Sequence, residues 1–198
     1  MKFKEYTLKD PQQDHRFIPQ EAESAGEYLG LDDRSVLRLR LLAEELICML
    51  PQLLYYGPGK FWIEADEKQI ELHLKVMADK IHDYDVDRIL SVSSDGKNAA
   101  AKGIIGKIAV AVERMLGNNE NIADYDSYGV WSRGLAVSDR SAFWSLEAYK
   151  DAFKDKQTQQ EYSDDWDELE KSIIANVADD VRVGVLGGKI DIIVIKTL

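Results

Sequence analysis

Glu44-Glu45 is the most suggestive acidic pair in the chain. Adjacent carboxylates are suited to general acid–base work when one of them is poised to take a proton. The plainer reading is two polar positions on the exposed flank of a helix. Cys48 follows beside Ile47 and Met49 within an apolar helical pattern, so a buried, inert thiol is expected there rather than a nucleophile. His15, His73 and His82 are scattered without metal-ligand spacing. His73 falls on the polar side of a strand pattern and reads as a surface histidine. No serine sits in a nucleophile-elbow context.

Two further segments approach known ligand loops and miss them. Gly103-Ile104-Ile105-Gly106-Lys107 has the Gly-Lys pair of a phosphate loop, but Ala101 and Ile108 stand where a Gly and a Ser or Thr are needed. Its glycines also lie inside a helical pattern, where close packing between helices is the simpler role. Asp83-Tyr84-Asp85-Val86-Asp87 begins like a calcium loop. Arg88 replaces the turn glycine, however, and Ser94 replaces the closing bidentate Glu. It reads as a solvated acidic loop.

The elements that must position these residues are clearest at the two ends of the chain. Phe3, Tyr6 and Leu8 alternate as a short edge strand. Pro19 near its start and Gly30 past its end delimit a helix over Gln20–Leu29. Asp32-Asp33 can cap the next one. There Val36, Leu39, Leu42, Leu46, Met49 and Leu53 recur at helical steps, with Pro51 ending or kinking the pattern. Phe61–Ala65 and Ile70–Val76 flank the polar link Asp66-Glu67-Lys68-Gln69 and predict a β-hairpin with one buried face.

The middle is less regular. Ala99–Leu116 reads as a helix rich in small residues, stopped by Gly117-Asn118-Asn119. Val130-Trp131 and Leu135-Ala136-Val137 suggest short strands, Ser145–Phe153 a helix, and Lys154–Ser163 a polar connector. Asp164-Asp165 can cap a helix carrying Leu169, Ile173, Ile174, Val177 and Ala178. Val181–Val185 and Ile190–Ile195 then form a closing hairpin around Leu186-Gly187-Gly188-Lys189.

Strands and helices mix without βαβ alternation, which favours an α+β fold, a two-layer sandwich with helices on one face of a mixed, mostly antiparallel sheet. With 198 residues and no linker rich in Pro, Gly or Ser, one domain spanning 1–198 is expected, with an atypical middle segment at about 79–163. The 25 Lys and Arg against 36 Asp and Glu leave a charge of −11, which argues against sequence-independent nucleic-acid binding. No apolar run reaches the roughly 18 residues of a membrane span, and no signal-peptide core follows Met1. Cys48 is the only cysteine, which excludes an intramolecular disulfide and suits a reducing, cytoplasmic location.

The order of the clear elements carries a resemblance. A strand and a helix lead to a long helix containing Leu41-Leu42-Ala43-Glu44-Glu45-Leu46. A hairpin and a variable middle follow, and the chain ends with Ser172–Val183 and the closing hairpin. Over residues 1–78 and 165–198 the sequence resembles the ATP-binding domain shared by sensor histidine kinases and gyrase-type ATPases, the Bergerat or GHKL fold. It is most similar to the small bacterial anti-sigma-factor serine kinases.

The resemblance implies a nucleotide site whose chemistry this chain has mostly lost. The family's paired acids match Glu44-Glu45, but Met49 stands where an Asn would hold magnesium, and a thioether is a poor ligand for so hard an ion. Ala78 falls at the position of the adenine-reading Asp, with Asp79 one residue late as a weak candidate. Lys80-Ile81-His82-Asp83 lacks the glycines that follow in the family. The glycine-rich turn that holds phosphates reads Asp164-Asp165-Trp166-Asp167-Glu168 here. One carboxylate about 4 Å from a phosphate oxygen costs on the order of 4 kcal/mol at an effective dielectric near 20.

The expectation is therefore a degenerate regulatory member of this fold, bacterial by resemblance, acting without cofactor and without ATP turnover. It would bind a protein partner, either sigma-factor-like or anti-anti-sigma-like, or a second copy of itself. The alternatives are an active ATP- and magnesium-dependent serine kinase or ATPase with Glu45 as general base and Glu44 beside it, and a small-molecule sensor.

Overall fold

Ile70, Leu72, Leu74 and Val76 alternate with polar residues, and all four are buried along one face of a strand. That strand is central to a computed structural model that describes residues 1–9, 15–53, 57–77, 108, 112, 135–138, 141–154, 172–186 and 189–198. In chain order the elements are β1 (Tyr6–Leu8), α1 (Phe17–Tyr28), α2 (Asp33–Leu53), β2 (Gly59–Ala65), β3 (Gln69–Met77), β4 (Leu135–Ser138), β5 (Ser141–Ser145), α3 (Leu146–Lys154), α4 (Ile173–Val177), β6 (Asp180–Leu186) and β7 (Lys189–Thr197). The strands form one seven-stranded sheet in the order β1-β2-β3-β7-β6-β5-β4.

Both hairpins are present in the expected places. Turn chemistry accounts for the first. Asp66 Oδ1 accepts from the amides of Lys68 and Gln69 at 2.7 and 2.9 Å, and the Asp66 amide donates back to the Gln69 carbonyl at 3.0 Å. The Lys68 and Gln69 amides hold the Asp66 carboxyl below its ordinary range. β3 then pairs along its whole length with β7, from Gln69 opposite Thr197 to Met77 opposite Lys189. The class is α+β. Among the described residues every neighbouring pair of strands is antiparallel, which corrects the expectation of a mixed sheet. β2–β3, β4–β5 and β6–β7 are separated by only two or three residues along the chain, too few for the crossover that a parallel pair needs.

Helices and sheet share one core. Ile18 and Ala22 of α1 and Leu39, Leu42, Leu46 and Met49 of α2 belong to the same buried cluster as Phe61, Leu72, Leu74, Ile192 and Val194. Each fully buried Leu or Ile contributes roughly 1.5–3 kcal/mol of transfer free energy. α1 ends in a Schellman motif: the Gly30 amide donates to the Glu27 carbonyl at 3.0 Å and the Leu31 amide to that of Gly26 at 3.1 Å, with Gly30 at φ +72°. Asp32 caps α2 as expected, its Oδ1 accepting from the amides of Arg34 and Ser35 at 2.9 and 3.0 Å. The helix continues through Pro51 for two residues, to Leu53.

The C-terminal half departs from the sequence reading in three places. β5, over Ser141–Ser145, was not expected. Ser145 ends it and caps α3, its Oγ accepting from the Ala148 amide at 3.2 Å. The buried Asp180 of β6 caps α3 as well, its Oδ1 accepting from the Glu147 amide at 3.0 Å. Finally, the helix carrying Ile173, Ile174 and Val177 does not run on from Asp164-Asp165. Ser172 is extended and caps it afresh, its Oγ accepting from the Ala175 amide at 3.3 Å. Of the expected helix Ala99–Leu116, Ile108 and Val112 are described, and both are helical and buried. The Asp79–Asp87 loop, Val130-Trp131, the connector after Lys154 and Asp164–Glu168 lie outside the described residues.

Two glycines separate backbone strain from packing. A Cβ added at Gly30 or at Gly184 meets nothing within 4 Å, but only Gly30 has a left-handed φ. Gly30→Ala is expected to lose about 1–2 kcal/mol in denaturant unfolding. Gly184→Ala, in the interior of β6, is expected to be neutral or to gain up to about 1 kcal/mol.

Candidate functional site

α2 holds the acidic pair that the sequence singles out, and its neighbours define what the pair can do. Glu44 is exposed and occupied. Its Oε1 accepts from Arg40 Nε at 3.1 Å, while Arg40 Nη1 donates to Glu23 Oε2 of α1 at 2.9 Å. These surface pairs tie two helices together and contribute little stability, about 0–1 kcal/mol. Glu45 is half-buried, and its carboxyl is pushed above the ordinary range by desolvation and then by the charge of Glu44.

Cys48 corrects an expectation, because it is exposed rather than buried. It sits one turn beyond Glu44 and its Sγ donates to the Glu44 carbonyl at 3.4 Å. Desolvation, Glu45 and Glu44 together push the thiol up, so it stays protonated and inert at neutral pH. Met49 is sealed in the core at 1% exposure. A residue at that position points into the cluster formed with the sheet and cannot meet a magnesium ion from solvent. Asp79, the candidate adenine contact, lies outside the described residues, as does His82.

A second cluster, on the opposite face of the sheet, was not anticipated. The β2–β3 register places Glu64 opposite Glu71 and Trp62 opposite His73, all four on the face away from the core. The Trp62 and His73 rings stack at 4.7 Å between centroids with 4° between planes. Trp62 Nε1 donates to Glu64 Oε1 at 2.7 Å, and Gln69 Nε2 donates to Glu71 Oε1 at 2.6 Å. His73 is therefore no plain surface histidine, its side chain being 12% exposed. Its Nε2 lies 2.9 Å from Glu71 Oε2, yet the approach lacks hydrogen-bond geometry and the buried nitrogen has no hydrogen-bond partner.

One donor atom from each of Glu64, Glu71 and His73 falls within 4.8 Å of the other two. The signal for this arrangement was present in the sequence. Pairing Ala65 with Ile70 across the polar link sets the register, and counting outward brings Glu64 to Glu71 and Trp62 to His73. Spacing along the chain conceals it, because the three residues come from two strands. His15 lies elsewhere, buried beside Phe17, and has no part in this cluster.

The raised carboxyl of Glu45 gives a signed pH effect. A folded-state value above the unfolded one means that the ionised form opposes folding at neutral pH, an effect that vanishes below both values. Glu45→Gln is expected to raise the melting temperature at pH 7 and to leave it unchanged near pH 3. Equal melting shifts at both pH values would show that the substitution acts through packing.

Compared with family models, with curated proteins and with solved structures, the chain finds no match in any of the three.

Proposed function

We propose that this chain is a partner-binding regulatory protein built on a degenerate GHKL-type, two-layer ATP-binding fold, and that it does not turn over ATP. The observation that carries the proposal is the burial of Met49. At the position where the resemblance calls for a magnesium-holding Asn, the side chain is a thioether packed in the core with Leu46 and Leu50. Glu44 is held by Arg40 rather than left open to a ligand. The residues present do not fit a magnesium–nucleotide complex, and no catalytic step is assigned to them.

The sequence of strand, two helices, hairpin, late helix and closing hairpin supports the fold part of the proposal. The partner, by resemblance, is a sigma-factor-like or anti-anti-sigma-like protein, or a second copy of the chain. No described helix is long and apolar enough to cross a membrane.

One feature favours the alternative of an ATP-dependent enzyme. Glu45 is half-buried with a raised carboxyl, the condition under which a carboxylate serves as a general base. The two readings part in a calorimetric titration of the purified protein with ATP, with and without magnesium. The expected result is no binding tighter than about millimolar, or ~4 kcal/mol. Micromolar, magnesium-dependent binding, together with hydrolysis lost by two to four orders of magnitude in Glu45→Gln, would establish the enzyme instead.

A further inference from the structure

The face of the sheet turned away from the core carries a charge arrangement that the fold alone does not explain. Glu64 and Glu71 face each other directly across β2 and β3, and like charges in that position oppose strand pairing. A lysine or arginine between them would be the ordinary remedy. Among the described residues none pairs with either carboxylate. Lys2 Nζ lies over the Trp62 ring, 4.4 Å from its centroid, and binds Glu5. Lys75 pairs with Asp191, and Arg182 with Asp180. What approaches Glu71 is His73 Nε2, 2.9 Å from Oε2, a buried nitrogen with no hydrogen-bond partner, and Glu64 offers a donor atom within 4.8 Å of both.

We propose that Glu64, Glu71 and His73 bind one divalent transition-metal ion of the zinc type. The donor set of one imidazole nitrogen and two carboxylates suits a borderline ion better than magnesium or calcium, which prefer all-oxygen surroundings. Two carboxylates and a neutral imidazole also balance the ion's charge. Nε2, close to Glu71 but without a hydrogen bond, then gains a bonded partner.

The surrounding residues act as an outer shell. Trp62 Nε1–H holds one oxygen of Glu64 and the Gln69 amide holds one oxygen of Glu71, leaving the second oxygen of each for the ion. The stacked Trp62 ring fixes the plane of His73. Ile195 and Ile193 stand in register beside Glu71 and His73 on β7, and apolar neighbours strengthen a charge interaction. Donor atoms on a tetrahedral zinc ion are roughly 3.4 Å apart, given bonds of about 2.0–2.2 Å. The three here lie within 4.8 Å, so small side-chain rotations close the site. Three protein donors leave a coordination position for water or for a donor on a bound molecule.

The test is calorimetric titration of the untagged, full-length protein with zinc chloride, alongside magnesium and calcium chlorides. One zinc ion per chain at micromolar or tighter affinity is expected, with neither hard ion competing at millimolar concentration. Glu71→Gln and His73→Gln should each weaken zinc at least tenfold, His82→Gln should not, and Trp62→Phe should weaken it by about tenfold through Glu64. Glu64→Gln, at a more exposed position, serves if the His73 variant fails to fold. Zinc should also raise the melting temperature of the unaltered protein and not that of Glu64→Gln. Folded protein that binds no zinc at 100-fold micromolar concentration, or variants that bind it undiminished, would overturn the proposal.

Discussion

The pairing of β3 with β7 is the constraint on which the rest of the molecule depends. Each strand belongs to a hairpin that would be marginal alone, and their nine-residue antiparallel seam joins the two hairpins into one sheet. The register is not negotiable. A slip of one residue would turn Ile190, Ile192 and Val194 out of the core and bring Asp191 and Ile193 into it. The seam closes a long loop between residues far apart in sequence, so the apolar face must form before the chain recovers the entropy of closing it. Once formed, it presents a continuous apolar surface on which the stripe of α2 can settle.

What could be read from the sequence follows the same division. Hairpins and helices with strong period-2 or period-3.6 patterns were legible, together with their stop signals: Gly30 in the left-handed region, Asp32 at a helix start, Asp66 in a turn. β5 carries little signal of its own, because Ser141-Ala142-Phe143-Trp144-Ser145 is short, has serines at both ends, and pairs with β6 to become a strand. The last helix differs in where its described part begins: the acidic residues at 164–168 lie outside the described residues, and Ser172, in extended conformation, caps Ile173–Val177 afresh.

The acidic pair and the cluster on the sheet differ in how they are encoded. Glu44-Glu45 is a contiguous motif, legible directly along the chain. The Glu64, Glu71 and His73 group exists only through the pairing of two strands, and each member alone looks like an ordinary polar residue on a solvent-facing edge of the alternation. Burial tells the same story for α2. Cys48 and Met49 are adjacent, yet the helix turns the thiol outward and the thioether inward, a distinction of about 100° per residue that an apolar composition does not reveal.

The margins of the sheet are its shortest strands. β1 has three residues and β4 four, against nine in each of the central pair. A short margin exposes few unpaired amides and carbonyls, and Lys4, Lys9 and Glu5 flank β1 with charge. Such a margin gives a poor template for another chain's backbone, so runaway polymerisation through strand addition at these two edges is discouraged.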